Sequence, residues 1–441
     1  MDNNINIRFI QKNNLVKATL LGLFFWILIY FLVPLKVKHG IGFAPFLYLF
    51  LNYLFFLFGL KIISPVRKEK RLGFTFDKKV LMKILWIVIF IAFIGFFLKI
   101  IDKFYLRGAS FAYDISYNRI LLEKAGASIL SIFSAITTPF SFLPLFVYYT
   151  LKSKNKLLFG ISIFLFFSPS FDFLMMGSRS GIFVILILFG LIMFYFKKIK
   201  ITFGRILLVS VLLFFVAIYS TQLFIERTKD FAITDKDAIE HILKRSNYNF
   251  TITPTDATKK KIIGSKNKTV QASRLTVINF AQYYLHGVYE FGYLYNNYEK
   301  DHHYGAYTFN IFAKFINIVF RTNIDLNKIQ KAPVRPGVYT TFYGPIFIDF
   351  GWFSLVFMFF FGAFQKTIYN TVLRGRFQFV PLLLYFIIIN FFMPVFNFIN
   401  GALGLYTITS FVLFALIYIF LVGKLRIDKK NGKIQYVKFL K

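Results

Sequence analysis

A handful of ionisable residues fall at or beside long apolar runs, and their types suit anion binding and proton transfer. Arg179 lies in Met175-Met176-Gly177-Ser178-Arg179-Ser180-Gly181, a tight turn between two such runs. The small residues let the backbone turn sharply and leave amide N–H groups near the guanidinium, which meets phosphate oxygens in bidentate fashion. The competing reading is an interfacial arginine that snorkels and fixes depth. Arg274, His286 and Glu290 cluster on one predicted helix, and His286 and Glu290, four apart, share a face. A histidine and a carboxylate can orient or deprotonate a sugar hydroxyl; an ordinary i,i+4 pair on a solvated face is the plainer alternative. Arg335 precedes Pro336-Gly337-Val338-Tyr339-Thr340-Thr341, which leads into a run holding Asp349. A carboxylate inside an apolar helix needs a partner or a water-filled cavity; an arginine from another helix would serve. Asp102, Lys103, Arg107, Asp114 and Arg119 ring one loop mouth, where a solvated interfacial loop accounts for most of them.

Other chemistries find no support. With no cysteine in the chain, disulfides, thiolate catalysis and cysteine-based zinc sites are excluded. His302-His303 is a pair in a loop without zincin spacing, and no metal or cofactor is expected. Phosphate-loop, dinucleotide and nucleophile-elbow patterns are missing, as are the paired interrupted helices of many transporters.

The elements that must position these residues are membrane spans. The chain is 57% hydrophobic with mean hydropathy +0.62. Its apolar runs do not alternate, and they approach the ~20 residues that cross a hydrocarbon core as helix. They fall near 15–35, 41–63, 80–101, 126–150, 157–176, 181–197, 204–224, 343–365, 377–398 and 402–423. The expected fold is therefore all-α, a polytopic transmembrane helical bundle of about ten spans. The first run reads as a retained span, not a cleaved signal peptide.

The formal charge of +34 would suggest nucleic acid in a soluble protein. Here much of the excess sits in short loops, at 64–79, 152–156, 197–205 and 366–376, and in the C-terminal tail, so it reads as a topology signal. No nucleic-acid partner is expected, and both termini are placed in the cytoplasm. Three parts follow: 1–224 with seven spans, a large extracytoplasmic segment 225–342, and 343–441 with three spans and a tail. Within the large segment, 272–297 and 307–321 read as amphipathic helices suited to the headgroup plane. The first sets Val277, Ala281, Tyr284, Val288, Phe291 and Tyr295 against Asn279, Gln282, His286, Glu290 and Tyr293. The stretch 235–270 is polar and reads as a mobile loop.

A family resemblance adds to this reading. The motifs that carry it are Asp102-Lys103-Phe104-Tyr105-Leu106-Arg107-Gly108, Gly177-Ser178-Arg179-Ser180-Gly181 and Tyr283-Tyr284-Leu285-His286-Gly287. Tyr304-Gly305-Ala306-Tyr307-Thr308-Phe309, Val338-Tyr339-Thr340-Thr341-Phe342 and Asp349-Phe350-Gly351 follow. In order and spacing, over roughly 80–370, the chain resembles the bacterial oligosaccharide repeat-unit polymerases of O-antigen and related surface polysaccharides. Many relatives have Asn where Gly337 or Val338 stands. The resemblance implies a GT-C-like glycosyltransferase of the cytoplasmic (inner) membrane, acting on undecaprenyl-diphosphate-linked oligosaccharides without nucleotide sugar or metal. Membrane lipid and a chain-length regulator are the other implied partners. Arg179, Arg274, Arg335 and Arg107 would face the diphosphates; His286, Glu290 and Asp349 are the candidate catalytic groups. An O-antigen ligase and a flippase for the same lipid-linked units are the alternatives.

Overall fold

The computed structural model describes residues 14–66, 78–110, 117–118, 121–122, 129–175, 179–199, 235–400, 404–422, 425–427 and 434–436, with isolated positions between 202 and 225. Among these, seven helices are long and apolar enough to cross a membrane: Asn14–Leu32, Phe43–Ile62, Lys78–Leu106, Ile129–Leu151, Lys156–Met175, Tyr343–Leu373 and Gly404–Leu421. Gly181–Tyr195 and Phe377–Phe392 are shorter apolar helices at two further expected positions. The run 204–224 falls mostly outside the described residues. The protein is mostly helical, with several helices long and apolar enough to cross a membrane, and a helix satisfies its own backbone hydrogen bonds there.

Local chemistry explains where these helices bend. Ile129–Leu151 tightens to a 3₁₀ turn at Thr138–Phe142, where Pro139 and then Pro144 remove backbone donors. Lys78–Ile100 continues into a π-helical turn, Ile101–Leu106. Tyr343–Leu373 breaks at Gly351, whose φ of 51° is left-handed.

Close packing rests on small and amide side chains. At the crossing of Phe43–Ile62 with Ser354–Leu373, a Cβ on Gly59 would collide with the Phe359 carbonyl, and one on Gly362 with that of Phe56. Glycine there lets two backbones touch, the usual means of gaining dispersion contact where lipid is as apolar as leucine. Deeper in the bundle Gln365 and Asn390 exchange amide hydrogen bonds of 3.1 and 2.8 Å.

Hydrogen bonds sort the connections onto two ends of the bundle. At one end, strand Leu35–Val37 pairs antiparallel with Ile252–Pro254, and the Phe342 N–H donates to the Met393 carbonyl. Asn397 donates to Phe342 and Asn310 to Asn400. The loops 33–42 and 393–400 and the large segment therefore share one end. At the other, Asn370 donates to the Ser64 carbonyl, and Lys198 lies over the Tyr149 ring.

The stretch 235–270 is folded and does not form the expected loop. It contains helix Asp235–Arg245, a 3₁₀ turn Asn247–Phe250, the strand Ile252–Pro254 and helix Asp256–Ile263. Ile239, Leu243 and Ile262 pack against Ala272, Leu275 and Ile278 of the next helix, Lys268–Asn297. A few well-spaced aliphatic residues in a Lys- and Thr-rich context suffice once a long helix offers them a surface.

Helix Asn310–Phe320 is amphipathic as expected. Phe312, Phe315, Ile316, Val319 and Phe320 are exposed on it while Ala313 is buried, and burial with the nearby Arg107 charge lowers the Lys314 pKa. An exposed aromatic face tied to the ends of spans suits the headgroup boundary.

Candidate active site

The long helix Lys268–Asn297 starts at an Asn267 cap whose side chain accepts from the Thr269 and Val270 N–H groups. It runs across the end of the bundle and is buried both on the face its apolar residues mark, at Ala281, Tyr284 and Phe291, and on the polar face beside it. Gln282, His286 and Glu290 are buried, at 1%, 0% and 1% exposure, while Val277 is exposed. The helix meets a polar wall there: the 247–254 segment and the 335–341 loop offer hydrogen-bond partners that an apolar stripe could not use.

Each buried group is matched. Arg335 Nη1 donates to both Glu290 oxygens, at 2.6 and 2.8 Å, and its Nη2 donates to the Asn247 carbonyl at 3.0 Å. The guanidinium lies 3.8 Å over the Phe250 ring, and the Thr251 hydroxyl donates to Glu290 at 2.9 Å. Burial pushes the Glu290 carboxyl up against the opposing pull of Thr251 and Arg335. One turn earlier, His286 Nδ1–H donates to the Gln282 carbonyl at 2.9 Å, and Nε2 accepts the Tyr339 N–H at 3.3 Å. These two neighbours select the neutral tautomer with its lone pair on Nε2. Burial pushes the imidazole down to about 4, which keeps it neutral at ordinary pH.

The loop over His286 holds unusual backbone. Gly337 has φ 78° and Thr341, a buried β-branched residue, φ 64°, a conformation that stores strain and gathers at functional sites. Gly287 makes room for it: a Cβ there would stand 2.7 Å from the Val395 oxygen and 3.1 Å from the Thr341 nitrogen. Tyr283, Tyr339 and Phe396 form an aromatic group beside the imidazole, with the Tyr248 ring tilted against it at 4.2 Å. Tyr339 is 38% exposed, so this group opens outward.

Other expected site residues lie elsewhere. Arg274 does not join the cluster: it is exposed and donates to the Lys261 carbonyl at 2.8 Å. Twelve residues of helix separate it from His286 by about 18 Å and turn it to another face. Asp349 holds main chain rather than an arginine. It is fully buried, and its two oxygens accept the Tyr307 and Thr308 N–H groups at 2.9 and 2.7 Å. Main-chain donors satisfy a buried carboxylate as well as a cation does, and here they fix the turn Tyr304–Phe309, where Tyr304 and Gly305 have φ of 48° and 95°. An Asp349→Ala variant should leave two buried N–H groups unmet and lose about 3–4 kcal/mol of stability, with Asp349→Asn intermediate; denaturant melts in detergent measure both.

Arg107 belongs to a second group at the same end, and the chain near it leads to Arg179. Arg107 Nε donates to Asp102 at 3.2 Å. Lys99 pairs with Asp172 at 2.9 Å, and Lys103 pairs with the same carboxylate. Ala109 and Phe104 pack against Met175, close in sequence to Arg179, the first residue of helix Arg179–Tyr195. Gly181 accommodates the Phe173 ring. Gly177 and Ser178 lie outside the described residues, as do Asp114, Arg119 and the Arg179 side chain. The 393–400 loop links the two groups, with Phe396 on Tyr339 and Asn400 bonded to Asn310 beside Lys314. Among the described residues no cluster of three metal-ligating side chains occurs.

Sequence reasoning passed over Thr251, Phe250 and Asn247, which complete the Glu290–Arg335 pair. One signal was legible: Thr251-Ile252-Thr253-Pro254 is a β-branched run bounded by proline, a strand pattern inside an otherwise polar stretch. Comparison with protein-family models, with curated proteins and with solved structures finds no match for this chain.

Proposed function

We propose that this protein is a glycosyltransferase of the cytoplasmic membrane that joins lipid-diphosphate-linked oligosaccharide repeat units on the outer leaflet, as a surface-polysaccharide polymerase. The observation that carries the reading is His286: a buried, neutral imidazole with a fixed tautomer, its lone pair turned to a strained loop and an open aromatic group. Aromatic faces suit the C–H faces of sugar rings. The rim of Lys99, Lys103 and Arg107, with Asp102 and Asp172 among them, suits a diphosphate, and Arg179 is the added cation.

In this reading the acceptor hydroxyl displaces the Tyr339 N–H and hydrogen-bonds to His286 Nε2. The anomeric carbon–oxygen bond to the donor's diphosphate breaks, and the acceptor oxygen takes its place on that carbon. The diphosphate leaves with the bonding pair, toward the cationic rim, where preorganised positive charge stabilises it. The hydroxyl proton passes to Nε2. A weak base serves because the oxygen becomes strongly acidic as its new bond forms. Glu290 and Arg335 neither attack nor bind; they hold the floor on which His286 and the 335–341 loop rest.

In this reading the positive-inside rule puts the end opposite this site, and both termini, on the cytoplasmic side. A chain with no native cysteine allows a clean check. In intact cells an impermeant maleimide should label Lys266→Cys and spare Lys154→Cys, both exposed positions on opposite sides in this scheme. The reverse pattern would remove the site from the outer leaflet. Function is tested by expression in a polymerase-null strain: a polymerase restores long-chain ladders. Transfer of single units to a lipid A core acceptor would indicate a ligase, and loss of outer-leaflet units in a deletion strain a flippase.

A further inference from the structure

A cavity of about 740 Å³ lies away from the His286 group, between the turn 302–306, helix Asn310–Phe320 and helix Leu326–Gln330. Phe309, Phe312, Ala313, Ile316, Ile324 and Ile329 make its walls apolar, and His302, His303, Asp325 and Lys328 supply its polar rim. Phe312 and Ile316 line it and are also exposed. The cavity wall thus continues into the outer face of the helix, alongside Phe315 and Val319. Filled with water, an apolar space of this size would lose free energy, whereas hydrocarbon fits it. Its location at the ends of membrane spans puts lipid tails within reach. At the rim, His303 Nε2 is buried and has no hydrogen-bond partner among the described residues, and the Lys328 ammonium is exposed nearby.

We infer that this cavity is a lipid site: it takes the hydrocarbon tail of a phosphate-headed lipid, with His303 and Lys328 at the headgroup. The site is separate from the proposed reaction centre and does not depend on it. The occupant is an anionic phospholipid of the bilayer, because the cavity wall at Phe312 and Ile316 continues into the exposed face of Phe315 and Val319 that bilayer tails would meet.

The test is photolabelling of the full-length protein in nanodiscs with two tail-diazirine probes, phosphatidylglycerol and a polyprenyl phosphate, followed by peptide mapping. Labelling should fall within 302–329 in addition to the spans. Labelling by the phosphatidylglycerol probe, with or without the polyprenyl one, supports the inference; labelling by the polyprenyl probe alone overturns it and identifies a carrier site instead. Ala313→Trp, which fills the cavity from a buried wall position, should reduce labelling of 302–329 at least tenfold while span labelling persists. Lys328→Glu on the exposed rim, which leaves the packed wall untouched, provides the second arm. It should cut labelling by both anionic probes severalfold and leave a phosphatidylcholine probe unchanged. Span labelling without any in 302–329, or equal labelling of native protein and both variants, overturns the inference.

Discussion

Arg335→Ala should destabilise the protein by about 3–5 kcal/mol and abolish polymer formation. The loss follows from what remains behind: a Glu290 carboxylate at 1% exposure, keeping only the Thr251 hydroxyl. Breaking a buried ion pair from one side costs far more than the pair itself contributes, since the surviving charge keeps its desolvation penalty. The Phe250 ring also loses the cation stacked on it, a further ~0.5–2 kcal/mol. Removing both charges separates structure from chemistry. Glu290→Gln with Arg335→Gln should recover most of the stability, to within about 1–2 kcal/mol of native. If the pair only supports the fold beneath His286, that double variant should also regain measurable ladders. Denaturant melts in detergent and complementation ladders read the two quantities. A single Arg335→Ala variant as stable as native protein would show that the guanidinium is not what neutralises Glu290.

The second large effect concerns His286. His286→Gln should keep the fold, because an amide can still meet part of the contact with Gln282 and Tyr339, yet reduce transfer by 10²- to 10⁴-fold, the usual range for a lost general base. A pH signature identifies the side chain independently of activity. Its folded-state value of about 4 lies below the ordinary 6.5, so between these pH values the unfolded chain binds the extra proton. Stability is therefore full above pH 6.5 and declines on acidification toward pH 4, by roughly 3 kcal/mol at most. The groups facing the imidazole are Tyr248, Tyr283 and Tyr339, with the Arg335 charge further disfavouring its protonation. Glu290, pushed up by burial, acts with the opposite sign and is present in both proteins. The difference between native and His286→Gln stability across pH 4–6.5 thus isolates the histidine. Parallel curves would mean that His286 is not held neutral, and normal ladders from the variant would remove it from the reaction.

Much of this protein was settled by its sequence alone. Apolar runs of spanning length admit only helices, because lipid offers no partner to a free N–H group, and the three-and-four spacing of apolar residues in 307–321 marks the amphipathic helix found at Asn310–Phe320. Local spacing also put His286 and Glu290 on one helix face. What spacing could not decide was that the polar face would be buried as well, since that burial depends on what arrives from elsewhere in the chain. Thr251 and Asn247 come from a stretch too polar to suggest a core, and Arg335 from 45 residues beyond Glu290. Only in three dimensions do they neutralise that carboxylate. Asp349 shows the same division: its presence in an apolar run called for a partner, and only the folded turn at 304–309 supplied one, as main-chain N–H groups that no residue pattern encodes.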